Sequence, residues 1–398
     1  MFGGVQIECL TMKETVMIKS KHSLNNSRTS KRKILFLLEA FDKGGIEKVT
    51  LDIVNHLDPN KYDITIQTFW YGGYCQSRVN SNIRVLPFFF RRYVRGIVRL
   101  IEILPPRLLH NLFIRGNYDV EIAASDGGAA KVVSGCTNQK TKKICWVHMD
   151  VVSRGSQLKE YQSKESAEKI YRKFDRIVCV SSACKEKFIE KFGEYRIDVA
   201  YNPLPTQEII SAAIEQCPTL NWSSTALHFV CIGRLVPQKG FDRLIDVCCR
   251  LKSLKYFGFS ITILGEGPER NILERKIVEN DLEDTIRLNG FTDNPYCFLK
   301  NASAFLLTSR DESFSLAVGE SLIVGTPVIA TDCCGVREWL GDNLYGLVVE
   351  NSENGIFDGI KAVLDCPQIL DNYKMRIPER TKELDFGATL DKFEKILW

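Results

Sequence analysis

Two carboxylates, Glu312 and Glu320, stand eight positions apart across the junction of a polar loop and a helix. The loop (Thr308 to Glu312) leaves an apolar strand, Ala304 to Leu307. The helix is expected over Ser313 to Val324, where Gly325 and Pro327 stop it before a further strand opens at Val328. A helix entered in this way turns its free backbone N–H groups, here those from Ser313, Phe314, Ser315 and Leu316, toward the loop. Together with the positive end of the helix dipole they suit a phosphate. Glu320, about two turns beyond Glu312, can turn back toward a sugar hydroxyl near the same crevice. The plain alternative is a solvated loop acid followed by a helix-surface acid.

Three further groups carry possible chemistry. After the strand Leu227 to Ile232, the loop Gly233-Arg234-Leu235-Val236-Pro237-Gln238-Lys239-Gly240 leads into a helix over Phe241 to Leu251. Its glycines allow close approach, and two cations on one loop can neutralise a diphosphate as it gains charge in leaving. Arg234 brings a planar fork and Lys239 a point charge. Gly44 and Gly45 follow the apolar strand Ile34 to Leu38 and open a helix over Ile46 to Leu57, which again sets backbone amides above a sheet. An ordinary tight turn is the competing account, with Glu47 as a first-turn partner of the dipole. His148 ends the strand Lys143 to Val147, at the carboxyl edge where doubly wound folds place their ligands, although a lone histidine is more often structural. Gly265-Glu266-Gly267-Pro268 is not a dinucleotide fingerprint, because Arg270 holds the place of the third glycine.

The spacing of Glu312 and Glu320 before a Gly-x-Pro-Val-x-Ala strand, Gly44-Gly45-Ile46-Glu47, Trp146-Val147-His148, and Arg234 with Lys239 occur in one order. Together they resemble family 4 of the retaining glycosyltransferases over roughly residues 33–398. The resemblance implies an α/β chain of GT-B architecture, two Rossmann-like doubly wound domains facing across a cleft. On that reading 33–202 bind the acceptor, 203–388 bind the nucleotide-sugar donor, and 389–398 form a helix packing back on the first domain, while the polar residues 1–32, without a signal peptide's apolar centre, are expected to be a disordered leader. It assigns His148, Arg234, Lys239 and Glu312 to catalysis. It assigns Gly44, Gly45, Gly233, Arg234, Lys239, Gly290, Phe291, Ser313, Phe314, Ser315, Leu316 and Glu320 to the donor, with the base held by backbone groups near Gly290 and Phe291. No metal site and no cofactor are expected. Where the family often carries Gly after the first Glu, this chain has Ser313, which bears on the shape of the sugar pocket. A nucleotide-sugar epimerase of the same architecture and a non-catalytic sugar-nucleotide-binding scaffold are the competing functions.

The chain as a whole sets bounds on these readings. At 398 residues and 44% hydrophobic content it can fill two cores. A formal charge of +4 gives no sign of nucleic-acid binding. The 14 cysteines lack any Cys-x-x-Cys pair, and most, such as Cys145, Cys179, Cys231 and Cys248, sit in apolar runs as small hydrophobes, which points to a reducing compartment. No run reaches the roughly 20 apolar residues a membrane span needs, so a cytoplasmic protein is expected. Charge is concentrated locally: seven arginines and one acid, Glu102, fall between Arg84 and Arg115, among Phe88, Phe89, Phe90, Leu100, Ile103, Leu108 and Leu112. A basic, aromatic, amphipathic stretch over residues 88–115 suits an anionic membrane surface. The competing account is a helix pair packed on the domain with solvated arginines. The acceptor expected with the membrane reading is a lipid-linked saccharide at the inner membrane face.

Overall fold

A computed structural model describes residues 31–40, 44–70, 74–90, 95–148, 151, 161, 163–217 and 226–398. The expected leader up to residue 30, the turn residues Asp42 and Lys43, and Arg91, Arg92 and Tyr93 lie outside the described residues.

The first lobe is a seven-stranded parallel sheet. Its strands are β1 (Arg32–Leu38), β2 (Tyr62–Trp70), β3 (Arg84–Phe90), β4 (Val120–Ala123), β5 (Lys142–Val147), β6 (Arg176–Cys179) and β7 (Ile197–Val199), in the order β3-β2-β1-β4-β5-β6-β7. Its helices are α1 (Gly45–His56), α2 (Arg95–Ile103), α3 (Pro106–Phe113), α4 (Gly128–Val133), α5 (Lys164–Tyr171) and α6 (Ser182–Phe192), and α7 (Thr206–Ala213) follows and packs on the second lobe. The second lobe has six parallel strands: β8 (Leu227–Ile232), β9 (Phe259–Leu264), β10 (Ile286–Gly290), β11 (Ala304–Leu307), β12 (Val328–Thr331) and β13 (Leu347–Val349), in the order β10-β9-β8-β11-β12-β13. With them come α8 (Phe241–Ser253), α9 (Arg270–Glu279), α10 (Tyr296–Asn301), α11 (Leu316–Ile323), α12 (Val336–Leu340), α13 (Glu353–Asp365), α14 (Gln368–Glu383) and α15 (Phe386–Leu397). Both sheets are doubly wound, as the alternation of strand and helix predicts. Residues Ile34 to Leu38 are buried throughout, because a parallel strand is covered on both faces. Cys145, Cys179 and Cys231 are buried in the same way, and Cys248 is buried on the inner face of α8.

Several boundaries differ from the sequence reading. The helix expected from Ser313 begins at Leu316, with Ser315 in extended conformation as its cap residue. α5 starts at Lys164, where the hydroxyl of the extended Ser163 accepts from the Ser166 N–H. Asn202-Pro203-Leu204-Pro205 carries no regular structure between the two sheets. It is followed at once by α7, whose Ile209 and Ala213 are buried. The sequence reading also missed α14, since Pro378 inside it is a strong breaker signal. The last helix starts before Thr389, at Phe386, where the Asp385 carboxylate accepts from the N–H groups of Gly387 and Ala388.

The lobes share apolar contact. One buried cluster runs from the first sheet through Leu204 and Ile209 to Val318, Leu322 and Trp339, while a second fills the far face of the second sheet. Glu338 of α12 accepts from the N–H groups of Ser182 (3.0 Å) and Ala183 (2.8 Å), so a carboxylate of one lobe caps α6 of the other. The chain end returns to the first lobe: the Phe393 ring lies 4.9 Å from Trp146 and 6.4 Å from Phe36, and Trp398 donates its indole N–H to the Tyr62 hydroxyl at 3.0 Å.

Candidate active site

The carboxyl ends of β1, β4 and β5 in one lobe, and of β8, β9 and β11 in the other, open onto a single cleft of 1660 Å³. Thirteen of the fourteen sequence-predicted site residues line it, from Gly44, Gly45 and His148 on one side to Glu312 and Glu320 on the other. Gly290 does not. It ends β10 with φ +80°, and its carbonyl accepts from the Gly265 N–H at 2.8 Å, so it shapes the turn beneath Phe291.

On the wall of the second lobe, the Arg234 loop is set by close backbone approach. Gly265, at φ +153°, passes so near Gly233 that a Cβ would stand 1.9 Å from the Gly233 carbonyl oxygen. The Lys239 stem lies against Gly233, where a Cβ would come within 3.1 Å of it. Its ammonium pairs with the Glu312 carboxylate, which also accepts from the Ser309 hydroxyl at 2.7 Å. Arg234 is exposed in the cleft. On the same wall, α11 begins with no side-chain cap at Ser315, and Ser313 to Ala317 line the cleft, so the first N–H groups of the helix are left there without a side-chain acceptor. The Phe314 ring is stacked between Tyr201 (5.3 Å, 9°) and Trp339 (4.4 Å, 26°), an arrangement that pins the loop ahead of the helix. Two cations and a bare helix entrance therefore converge where a dianion could sit.

On the wall of the first lobe, His148 presents an Nε2 that is buried and lacks a hydrogen-bond partner among the described residues. Its ring is 4.2 Å from Trp146. Burial holds its pKa down at about 3, so the imidazole is neutral at physiological pH and available as a donor or acceptor. Ser125 Oγ and Asn202 Oδ1, which also line the cleft, are likewise buried without a partner. Buried polar atoms left unsatisfied in a cleft favour a polar ligand there.

Sequence reasoning missed the feature that joins the walls. Lys48, in the first turn of α1, reaches across the cleft to pair with the Glu320 carboxylate and donates to the Tyr296 hydroxyl at 2.7 Å. Burial alone would lower the pKa of this ammonium, but Glu320, Tyr296 and Asp52 together raise it well above its usual value. Asp52, one turn further along α1, has its carboxyl pushed up to about 6, chiefly by burial and against the attraction of Lys48. The signal was faint: Lys48 and Asp52 share a helix face four residues apart, but nothing in the sequence says what that face meets. Gly45, which follows the strand as expected, approaches the other lobe too, where its Cβ would lie 3.6 Å from Leu316.

Outside the cleft, His110 donates to the buried Glu121 at 2.9 Å near Cys136. Among the described residues this is the one trio of metal-capable side chains whose ligand atoms converge.

Comparison with known proteins follows from this geometry. Residues 43–208 match the family model described as Glycosyltransferase Family 4, and residues 215–383 the model described as Glycosyl transferases group 1. The chain is 31% identical over 220 residues to the N-acetylgalactosamine-N,N'-diacetylbacillosaminyl-diphospho-undecaprenol 4-alpha-N-acetylgalactosaminyltransferase of Campylobacter jejuni, covering 54% of this chain and 58% of that one. It is 26% identical over 232 residues to the lipopolysaccharide core biosynthesis glycosyltransferase LpsE of Rhizobium meliloti, covering 58% and 64%. Both matches thus span less than two thirds of the relative's length. In three dimensions it resembles Anabaena HepE, solved in complex with UDP and glucose, with a TM-score of 0.74 at 17% identity over 92% of this chain and 99% of that one. That likeness shows the GT-B fold.

Proposed function

The chain belongs to glycosyltransferase family 4, and on that premise we propose that it moves a glycosyl group from a nucleoside-diphosphate sugar to a saccharide or lipid-linked saccharide acceptor. The observation that carries this reading is the shared location of Arg234, Lys239, the uncapped start of α11 and Glu320 in one cleft, with Gly44, Gly45 and His148 across from them. The name of the Rhizobium relative favours surface-polysaccharide synthesis as the setting, and that of the Campylobacter relative favours a diphospho-undecaprenol-linked saccharide as the acceptor.

In this reading the diphosphate lies against Arg234, Lys239 and the amides of Ser315 and Leu316. These donors gain most as the bond between the anomeric carbon and the phosphate oxygen breaks and charge collects on the diphosphate. The acceptor hydroxyl attacks from the face the diphosphate is leaving, and its proton passes to a diphosphate oxygen. The anomeric configuration is therefore retained without a protein nucleophile, unlike the paired-carboxylate hydrolases. Glu320 holds the ribose hydroxyls once Lys48 releases it. Glu312, already oriented by Ser309, positions the transferred sugar. Neutral His148 offers its unpartnered Nε2 to the sugar or the acceptor. The two protein cations take the charge-neutralising place that a divalent metal has in other transferases, so activity should survive a chelator.

The acceptor's lipid places the enzyme at the inner face of the membrane. No helix among the described residues is long and apolar enough to cross one. The contact in this reading is peripheral, through the basic stretch in residues 88–115.

A thermal-shift screen of nucleotide sugars tests the reading. A preferred donor at about a hundred times its Kd should stabilise the protein by about 2.7 kcal/mol. Incubation with that donor and a polyprenyl-diphosphate saccharide should then give an extended product whose new linkage keeps the donor's anomeric configuration by NMR. Epimerised donor formed without acceptor would overturn the transferase reading.

A further inference from the structure

The outer face of α2 and α3 is unusual for a solvated surface. Leu100 (45% exposed), Ile103 (62%), Leu108 (44%) and Leu112 (49%) all point outward, while Ile101, Leu109 and Phe113 hold the inner face. Exposed Arg99, Arg107 and Arg115 are interleaved with them. Contiguous apolar side chains rimmed by charge mark a contact surface.

Beside this face lies a second cavity, of 270 Å³, at the elbow between α2 and α3. Ile103, Leu104, Pro105 and Pro106 form its apolar lip, and Lys131, Lys169 and Lys173 line it, with no carboxylate among its lining residues that the structure describes. Its geometry is built by the fold. Ser166, Lys169, Ile170 and Lys173 follow one another at helical spacing along and just beyond α5. Lys131 is a buried cation on α4, held by donation to the Glu102 carbonyl at 2.7 Å. None of these residues lines the cleft. Ile103 belongs to both features, so a ligand with its anion in the cavity would emerge directly along the apolar face.

We infer that this elbow cavity seats the phosphate of an anionic membrane-lipid headgroup, while Leu100, Ile103, Leu108 and Leu112 enter the boundary of the acyl chains. The joint layout of three cations and an apolar lip matches a headgroup continuous with a chain, which a free anion does not require. The inference rests on the peripheral-membrane part of the proposed function and makes it specific to one site.

Flotation of the full chain with phosphatidylcholine vesicles, alone or mixed with equal parts of phosphatidylglycerol, tests it. The protein should float only with the mixed vesicles. Lys169→Gln combined with Lys173→Gln should weaken that partition roughly thirtyfold, from the contribution of each basic residue near an anionic surface. Lys374→Gln with Lys382→Gln, the same charge change on α14, should leave it intact. Both double variants should turn over donor with a soluble saccharide acceptor at the unmodified rate. Equal loss in the two double variants would show only a general charge effect and overturn the site. Flotation unaffected by the Lys169/Lys173 change would overturn it while leaving the peripheral reading standing. No flotation of the unmodified protein would overturn both. Stabilisation by inorganic phosphate that depends on Lys169 and Lys173, without vesicle binding, would assign the cavity to a soluble anion instead.

Discussion

Glu320 is the residue on which the two walls of the cleft meet. A buried carboxylate needs a partner, and here it has Lys48 from the opposite lobe and the Tyr296 hydroxyl nearby. Lys48 is 30% exposed along its side chain, so solvent screens part of that attraction. A double-mutant cycle of Lys48→Met and Glu320→Gln, read by urea unfolding, should give a coupling of about 1–2 kcal/mol; additivity within error would mean that the pair is fully screened. Arg234 is the opposite case. It is exposed and stands in the cleft, so Arg234→Ala should leave the melting temperature unchanged. It should lower kcat by roughly 10²–10³-fold, the usual loss when one donor to a developing anion is removed. A variant with full turnover would remove Arg234 from the diphosphate site.

Among the elements, α1 and α11 face each other with their entrances at the cleft, and each has a feature that isolated helix rules would disfavour. The start of α11 has no side-chain cap, which leaves donors free for an anion at some cost to the helix itself. In α1, Asp52 is half-buried, its Oδ2 is enclosed with no hydrogen-bond partner among the described residues, and its carboxyl is raised from 3.8 to about 6. Because the folded state holds this proton more tightly than the unfolded state does, the contribution of Asp52 to stability is unfavourable above about pH 6. It improves as pH falls through that value and levels off below the unfolded pKa of 3.8. Asp52→Asn should therefore stabilise the protein by about 1–2 kcal/mol near pH 8 and make little difference near pH 4. Urea unfolding of both proteins across that range checks the sign; a variant less stable at pH 8 would show that the charged carboxylate is needed by Lys48.

At the scale of the whole molecule, the last helix leaves the second lobe and completes the core of the first, with Phe393 at 1% exposure between Phe36 and Trp146. Phe393→Ala should cost about 3–5 kcal/mol, and hydrogen exchange should show the loss concentrated in β1 and β5; protection lost evenly across both lobes would mean that they unfold as one unit. Much of this molecule was legible in the chain. The apolar strands, the glycine-bearing turns and the Arg234, Lys239, Glu312 and Glu320 spacings are local patterns, because backbone geometry and hydrophobic period are set by near neighbours. Elements whose local signals conflicted were not legible: α14 was hidden by Pro378, and α11 starts three residues later than its composition suggests. The sequence by itself determined two doubly wound sheets, a cation loop and a helix entrance suited to phosphate. The tertiary structure alone decided that Lys48 closes on Glu320, that Phe314 stacks between Tyr201 and Trp339, and that Gly290 supports the turn beneath Phe291. Those are meetings of residues hundreds of positions apart or of side chains with several possible neighbours, and no local period records them.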